Sequence, residues 1–271
     1  MSLLKPSLAR VRSFLSTATV LSAVAAAGAT AQSPPEVIRD SIPGTLVSWE
    51  MVPVPGGKVT IDGRTVDVKP FLIGRTEVSW DMYDVYMLRL DEGNTSEAAD
   101  AIARPSLPYA VPDYDWGHEG FAAISIARQA AERYAEWLSL KTGHRYRLPT
   151  EAEWVHAAQL AASSGPLTRE RIDALAWHKG NSDLQAHAIG SKQSDALGLY
   201  DLFGNAAEWV LSDDPKPVTR GGSFRDDPAT LGPSARAVQQ DYWTERDPQL
   251  PSSIWWLSDG PFVGFRLVRD P

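Results

Sequence analysis

The chain has 271 residues, a formal net charge of −8 and no cysteine. The lack of thiols excludes disulfides, zinc–thiolate sites, iron–sulfur clusters and cysteine nucleophiles. The acidic balance argues against nucleic acids and anionic membranes as partners.

The N-terminus predicts a signal peptide over residues 1–31. A basic segment at 5–12 precedes an Ala-, Val- and Leu-rich run at 13–28, and residues 29–31 (Ala-Thr-Ala) match a cleavage site. The apolar run is short and interrupted by Ser and Thr, and no later run approaches a membrane span. We therefore expect a periplasmic or secreted protein without a membrane anchor.

The rest of the chain predicts one domain, residues 49–271, after an N-terminal arm or linker at 32–48. The 10 Trp, 20 Gly and 20 Pro residues indicate a loop-rich domain with large aromatic anchors. In chain order, the predicted elements are strands at 58–61 and 65–73, helices at 79–88, 125–141 and 150–160, and strands at 218–224 and 262–268. Segments 91–120 and 161–176 are expected to be surface insertions.

The segment RLPTEAEW, residues 147–154, places two glutamates at the start of a predicted helix. Pro149 favours an extended residue before it, and Thr150 is a natural N-cap. Glu153, three residues later, completes a capping box, and Glu151 lies in the first turn, where the helix dipole favours an anion. Both glutamates are therefore predicted to be structural.

Six short motifs occur in order along the chain. They are VPVPGG (52–57), GRTEVSWDMY (74–83), AISIARQAAERYAEWLSLKTGHRYRLPTEAEW (123–154), GLYDLFGNAAEWV (198–210), TRGGSF (219–224) and VGFRLV (263–268). Together they resemble the sulfatase-modifying-factor domain of the formylglycine-generating enzyme family. The resemblance implies an α+β fold, a loop-rich C-type-lectin-like variant with short mixed or antiparallel sheets and about three helices.

The motif at 198–210 carries a predicted metal site. Asp201 and Glu208 are carboxylates seven residues apart, and Gly204 between them allows a sharp turn. Calcium prefers about six to eight oxygen ligands that mix carboxylates with backbone carbonyls. The resemblance implies a calcium ion held by the side chains of Asp201 and Glu208 and the carbonyls of Gly204 and Ala206. The alternative is a turn with hydrogen-bonded carboxylates and no ion.

A second family ion is implied near Asn181 and Ser182. The family loop that follows is shortened in this sequence, and Asp183 is the carboxylate available as a third ligand. The same alternative, a hydrogen-bonded turn without an ion, applies here.

The segment after GGSF decides whether the family's oxidase chemistry is expected. The resemblance implies two copper-binding cysteines, at positions that Asp226 and Leu231 occupy here. A carboxylate is not a soft ligand for Cu(I), and a leucine offers no ligand atom. Ser223 remains, and Ala207 replaces a tryptophan expected in the GNAAEW motif. We predict neither copper binding nor formylglycine-generating activity.

The resemblance places the family's active-site pocket, which contains the two cysteines, between the GGSF and GFR strands. We expect this pocket to be retained here as a binding cleft without the cysteines. Its lining would include Ser223, Asp226, Leu231 and Arg236, and its charge would favour polar or cationic ligands. The alternative is that these charged side chains pair at the surface.

The C-terminal stretch contains four further aromatic side chains, Tyr242, Trp243, Trp255 and Trp256. In lectin-like folds, such residues form either a platform for sugars and peptides or part of the core. The sequence leaves both interpretations open.

Three functions are compatible with these residues. The first is an exported, calcium-stabilised binding or accessory module, a pseudoenzyme whose partner is an exported protein, such as a sulfatase, or a polysaccharide. The second is a metal-dependent oxidase, of the formylglycine-generating or nonheme-iron type, with non-thiol ligands. The five histidines show no HxH or HExxH spacing that would support iron. The third is a structural component of the cell envelope.

Overall fold

The computed structural model describes residues 37–91, 96–108 and 112–271. The predicted signal peptide and the first residues of the predicted arm lie outside these ranges and remain predictions. Within the described ranges, no helix combines the length and the apolar character that a membrane span requires.

The N-terminal part of the domain contains five short strands. They are β1 (Ile38–Ser41), β2 (Ser48–Val54), β3 (Gly57–Ile61), β4 (Arg64–Val68) and β5 (Phe71–Gly74). The strand predicted at 65–73 is divided between β4 and β5, because Pro70 has no N–H to donate to a ladder. β1 pairs with β2, so part of the segment predicted as an arm or linker belongs to a sheet.

Five helices occur in the described residues, where about three were expected. They are α1 (Trp80–Met87), α2 (Glu97–Asp100), α3 (Arg128–Thr142), α4 (Glu151–Ala161) and α5 (Arg169–Leu175), with the short strand β6 (Tyr146–Arg147) between α3 and α4. The two additional helices, α2 and α5, lie in the predicted surface insertions. Because α5 buries Ile172 and Leu175, residues 161–176 are more than a surface insertion.

Local capping chemistry determines where the predicted helices begin and end. The Ser79 side chain accepts a hydrogen bond from Met82 N at the start of α1, and Gly143, with φ 76°, ends α3. At α4, the Thr150 side chain accepts from Glu153 N, and Glu153 Oε2 accepts from Thr150 N. These reciprocal bonds are the predicted capping box, which is therefore confirmed.

The C-terminal half supplies a second sheet and completes the first. Its strands are β7 (Ala207–Val210), β8 (Val218–Arg220), β9 (Arg236–Val238), β10 (Val263–Gly264) and β11 (Val268–Arg269). The first sheet has the order β1-β2-β5-β11-β6 and is antiparallel. The second has the order β10-β7-β8-β9, and its β10–β7 pair is parallel. The predicted α+β fold with short sheets is confirmed.

The strand predicted at 218–224 ends earlier than expected. β8 stops at Arg220, because Gly221 and Gly222 adopt positive φ values of 89° and 71°, which break the extended geometry. β7 lies between β8 and β10. The strands of the GGSF and GFR motifs, between which the cleft was predicted, are therefore separated by β7.

Aromatic side chains dominate the interior. One cluster contains Trp80, Tyr83, Tyr134, Trp137, Trp209 and Trp243, and a second surrounds Trp154 of α4. The four C-terminal aromatic residues therefore differ in their surroundings, and the core explains some of them but not all. Trp243 is core, Trp255 and Trp256 pack partly against it, and Tyr242 is exposed.

Candidate functional site

The two carboxylates of the predicted calcium site, Asp201 and Glu208, both lie in a buried cluster. Glu208 Oε1 accepts a hydrogen bond from Arg266 Nε at 2.8 Å and lies 2.7 Å from Arg266 Nη2. Glu208 Oε2 accepts from Trp154 Nε1 at 2.8 Å. Both oxygens are thus engaged by protein donors, which leaves Glu208 less free than Asp201 to hold a calcium ion.

Asp201 fits a cation ligand better. Its Oδ2 accepts from Gly190 N at 2.7 Å, whereas its Oδ1 is buried without a hydrogen-bond partner among the described residues. Burial raises the pKa of Asp201 to about 6, and the Glu208 carboxylate contributes to the increase. A buried carboxylate oxygen of this kind requires a proton or a cation.

The turn between these carboxylates depends on a close backbone contact. Gly204 has φ 85°, and a Cβ atom at this position would lie 2.2 Å from Trp177 O. Glycine is therefore required here by space as well as by conformation. The carbonyls of Gly204 and of the buried Ala206 remain predicted ligands.

The second predicted ion site is a hydrogen-bonded turn. Asn181 Oδ1 accepts from His178 N at 2.9 Å, and Ser182 Oγ donates to Phe224 O at 2.8 Å. Asp183 is exposed. Within the part of the chain that the structure describes, no three His, Asp or Glu side chains are grouped as metal ligands. Calcium at either place therefore stays a prediction.

A turn and a packed leucine occupy the positions of the family cysteines. Asp226 Oδ2 accepts hydrogen bonds from Ser223 N at 2.7 Å and from Ser223 Oγ at 2.8 Å. Leu231 is buried, and its Cδ2 lies 2.4 Å from where a Cβ on Gly222 would be. The chain's own side chains therefore fill this space.

Arg236 does not join this turn. Its Nε donates to Glu151 Oε1 at 2.7 Å and its Nη2 to Asp214 Oδ2 at 3.2 Å. Arg220 Nε donates to the same Glu151 oxygen at 2.9 Å. Ser223, Asp226 and Leu231 thus meet around Gly222, whereas Arg236 is bonded to Glu151 and Asp214. The structural role predicted for Glu151 is confirmed, because it pairs with two arginines.

A cleft of about 700 Å³ lies elsewhere, between two segments that the sequence did not link. We call it the aromatic cleft, and it is lined by residues 106–108, 112–115, 125, 246–249, 253 and 256–258. Its volume is typical of sites for small ligands and peptide side chains. Tyr114 and Trp256 are the aromatic residues of this lining.

The polar groups of the aromatic cleft are held in fixed positions. Tyr114 Oη and Ser125 Oγ are 3.1 Å apart, and Trp256 Nε1 donates to Ser106 O at 3.0 Å. Tyr114, Asp115 and Ser125 have positive φ values of 55°, 60° and 60°. Such values are uncommon outside glycine and cluster at functional sites.

His118 links the wall of the aromatic cleft to helix α1. Its Nδ1 lies 3.2 Å from Asp113 Oδ2 and its Nε2 lies 2.8 Å from Asp84 Oδ2. The imidazole also stacks on Trp80, with ring centroids 5.0 Å apart. Burial raises the pKa of Asp84. His118 thus positions the Asp113 carboxylate at the cleft.

The charge of the aromatic cleft is predominantly negative. Asp113, Asp115 and Asp247 line it together with Arg246, and Arg246 is already paired with Asp259. Trp256 and Ser106, which are hydrogen-bonded across the two sides of the cleft, are 150 residues apart in sequence. Because periodicity reports only on neighbouring residues, it could not predict the cleft. The signal that was available was the aromatic content of the C-terminal stretch.

Solved structures share this fold over most of their length. Treponema denticola variable protein 1 aligns with a TM-score of 0.63 and 19% identity, over 86% of this chain and 99% of that one. PvdO from Pseudomonas aeruginosa aligns with a TM-score of 0.62 and 26% identity, over 89% of this chain and 100% of that one.

A curated relative matches a shorter region. Serine/threonine-protein kinase Pkn1 of Chlamydia trachomatis serovar L2 is 35% identical over 98 residues. That region covers 34% of this chain and 14% of the kinase. The chain thus spans a small part of that relative's length.

The lectin-like α+β fold and the motif-bearing segments within it define a domain of the formylglycine-generating enzyme type. The family model for the sulfatase-modifying factor enzyme 1-like domain matches residues 43–271, and the chain belongs to this family.

Proposed function

We propose that the chain is an exported binding or accessory member of this family, which holds a segment of another exported protein in the aromatic cleft. The cleft itself is the observation that carries the proposal. It offers about 700 Å³ of concave surface with aromatic and acidic walls. At the cysteine positions, by contrast, Asp226 is tied to Ser223 and Leu231 is packed.

The chemistry of the cleft favours a peptide that carries a basic side chain beside an apolar or aromatic one. The three aspartates attract a cation, and the faces of Tyr114 and Trp256 suit stacking by a guanidinium or an aromatic ring. The Tyr114 hydroxyl is bonded to the buried Ser125 and keeps capacity for a further hydrogen bond to a peptide. A polysaccharide is the alternative, but the acidic wall offers a neutral sugar no advantage.

The purified protein is expected to leave a sulfatase-type Cys-x-Pro-x-Arg peptide unmodified, with or without copper. The chain has no thiol to bind Cu(I) or to engage the substrate cysteine. Mass spectrometry of the peptide measures the outcome, with a cysteine-containing family member as the positive control. Conversion to formylglycine at multiple turnover would contradict the proposal.

Trp256→Ala is expected to weaken the binding of basic, aromatic-containing peptides by roughly tenfold or more, since buried aromatics dominate binding energy. Tyr242→Ala is the matched control, because Tyr242 is an exposed aromatic outside the lining of the cleft. Calorimetric titration measures the affinity at two salt concentrations, and thermal melting verifies that each variant is folded. Affinity should fall as salt rises.

Two results would count against this assignment. Equal losses for Trp256→Ala and Tyr242→Ala would place the binding surface elsewhere. Binding of neutral oligosaccharides without binding of peptides would replace the protein partner by a polysaccharide.

A further inference from the structure

Four charged side chains are buried together in the interior. Glu77, Asp201, Glu208 and Arg266 have exposures of 1%, 2%, 0% and 0%, and they act on one another electrostatically. Three of them are carboxylates and one is a guanidinium. When all are ionised, the cluster therefore carries an excess of negative charge.

Arg266 neutralises one carboxylate. Its Nε and Nη2 lie 2.8 and 2.7 Å from Glu208 Oε1. Its Nη1 donates to Gly74 O at 2.9 Å, and its Nη2 donates to Tyr200 O at 2.8 Å. All three nitrogens of the guanidinium are thus engaged away from the other two carboxylates.

Glu77 and Asp201 each keep one unsatisfied oxygen. Glu77 Oε1 accepts from Asn205 Nδ2 at 2.9 Å, and Asp201 Oδ2 accepts from Gly190 N at 2.7 Å. The remaining oxygens, Glu77 Oε2 and Asp201 Oδ1, are buried and have no hydrogen-bond partner in the described ranges. Buried polar atoms normally have partners, and two unsatisfied oxygens on carboxylates that repel each other point to a shared ligand.

Arg266 acts on both carboxylates, but its guanidinium is bonded to Glu208, Gly74 O and Tyr200 O. Lys192 acts on Asp201 from a distance, but its ammonium donates to Asp173 O at 2.8 Å and lies over the Trp177 ring. Burial, with repulsion by Asp201, raises the pKa of Glu77 well above its usual value. An ionised carboxylate in such surroundings is stable only beside a cation, and otherwise it takes up a proton.

We propose that Glu77 and Asp201 together bind a hard cation, with calcium as the ion to test, and that Glu77 takes the part that the sequence predicted for Glu208. Carboxylate oxygens are the ligands that calcium prefers. Glu208 is less suited, because its two oxygens already accept from Arg266 and Trp154. This inference does not rest on the function proposed for the aromatic cleft.

The site would join two segments that are distant in sequence. Glu77 lies just before α1, and Asp201 lies in the turn before β7, at φ 54°. An ion between them would therefore stabilise the tertiary structure, and its binding is measurable as a shift in melting temperature without any activity assay.

The test compares the melting temperature of the full chain in calcium and in EDTA for the wild type, Glu77→Gln and Asp201→Asn. Calcium should raise the melting temperature of the wild type, and each variant should bind it at least about tenfold more weakly. Glu77→Gln retains an oxygen that accepts from Asn205, so this variant is expected to fold. Terbium luminescence sensitised by tryptophan provides a second measurement of ion binding.

Asp195→Asn is the matched control. Burial raises the pKa of Asp195 to about 6, and one of its oxygens is unpartnered among the described residues, while the other accepts from Leu197 N and Leu199 N. Asp195 is only partly buried and does not belong to the proposed ligand pair, so its replacement should leave the calcium response unchanged. An equal loss in this control would overturn the assignment.

Two further outcomes would also overturn it. One is a full calcium response in Glu77→Gln, which would restore Glu208 to the ligand set. The other is a wild type that ignores calcium and instead loses stability as pH rises through about 6. A folded-state pKa raised above the unfolded value gives that sign of pH dependence. The carboxyl pair would then hold protons rather than an ion.

Discussion

Arg266→Met is expected to lower the free energy of unfolding by about 3–5 kcal/mol, or to prevent folding altogether. The substitution leaves Glu208, which is fully buried, with the Trp154 N–H as its remaining donor. It also removes the donors to Gly74 O and Tyr200 O. Urea denaturation followed by tryptophan fluorescence measures the change.

The control for this prediction is an arginine in an exposed ion pair. Arg39 pairs with Glu50 and its side chain is 70% exposed, so Arg39→Met should change stability by less than about 1 kcal/mol. The double variant Arg266→Met with Glu208→Gln should recover part of the loss, because no unpaired charge then remains at Glu208. Similar losses for the two arginine variants would refute the account of the cluster.

Gly204→Ala is expected to destabilise the protein by about 3 kcal/mol or more. Two effects add, since a non-glycine residue at positive φ costs about 1–2 kcal/mol and an overpacked site about 1–3 kcal/mol. The first arises from φ 85° at Gly204, and the second from a Cβ only 2.2 Å from Trp177 O. A backbone carbonyl cannot swing aside as a flexible side chain does. Chemical denaturation of the purified variant measures the loss.

Gly63 separates these two effects. It lies in the turn between β3 and β4 with φ 74°, and none of the described atoms lies within 4 Å of where its Cβ would be. Gly63→Ala should therefore cost about 1 kcal/mol, from conformation alone. If Gly63→Ala were as damaging as Gly204→Ala, the contact with Trp177 would not be the cause.

Local sequence signals predicted the elements whose boundaries depend on neighbouring residues. Ser79, Thr150 and Gly143 act as caps in the structure as their positions indicated. The helix α5 was missed because its seven residues show too little periodicity to distinguish a short buried helix from a surface loop. The strand predicted at 218–224 was too long because paired glycines ended it.

The site was less predictable than the fold, because its contacts join distant segments. The hydrogen bond between Arg266 and Glu208 spans 58 positions, and the one between Asn205 and Glu77 spans 128. Spacing within the 198–210 motif linked Asp201 with Glu208. It could not reveal that Arg266 forms an ion pair with Glu208, or that Glu77 interacts with Asp201.

The sequence by itself determined the family, the helix caps and the absence of thiol chemistry, because each follows from residue identity or from spacing within a few turns. Only the tertiary structure decided which carboxylates are paired and which aromatic residues line a cleft. It also decided what surrounds Asp226 and Leu231, which occupy the positions of the family cysteines. Arg236 turns to Glu151, and Leu231 packs against Gly222. Trp256 and Tyr114 line the same cleft. Such outcomes depend on which distant segments approach each other in the core, and local patterns carry no information about that approach.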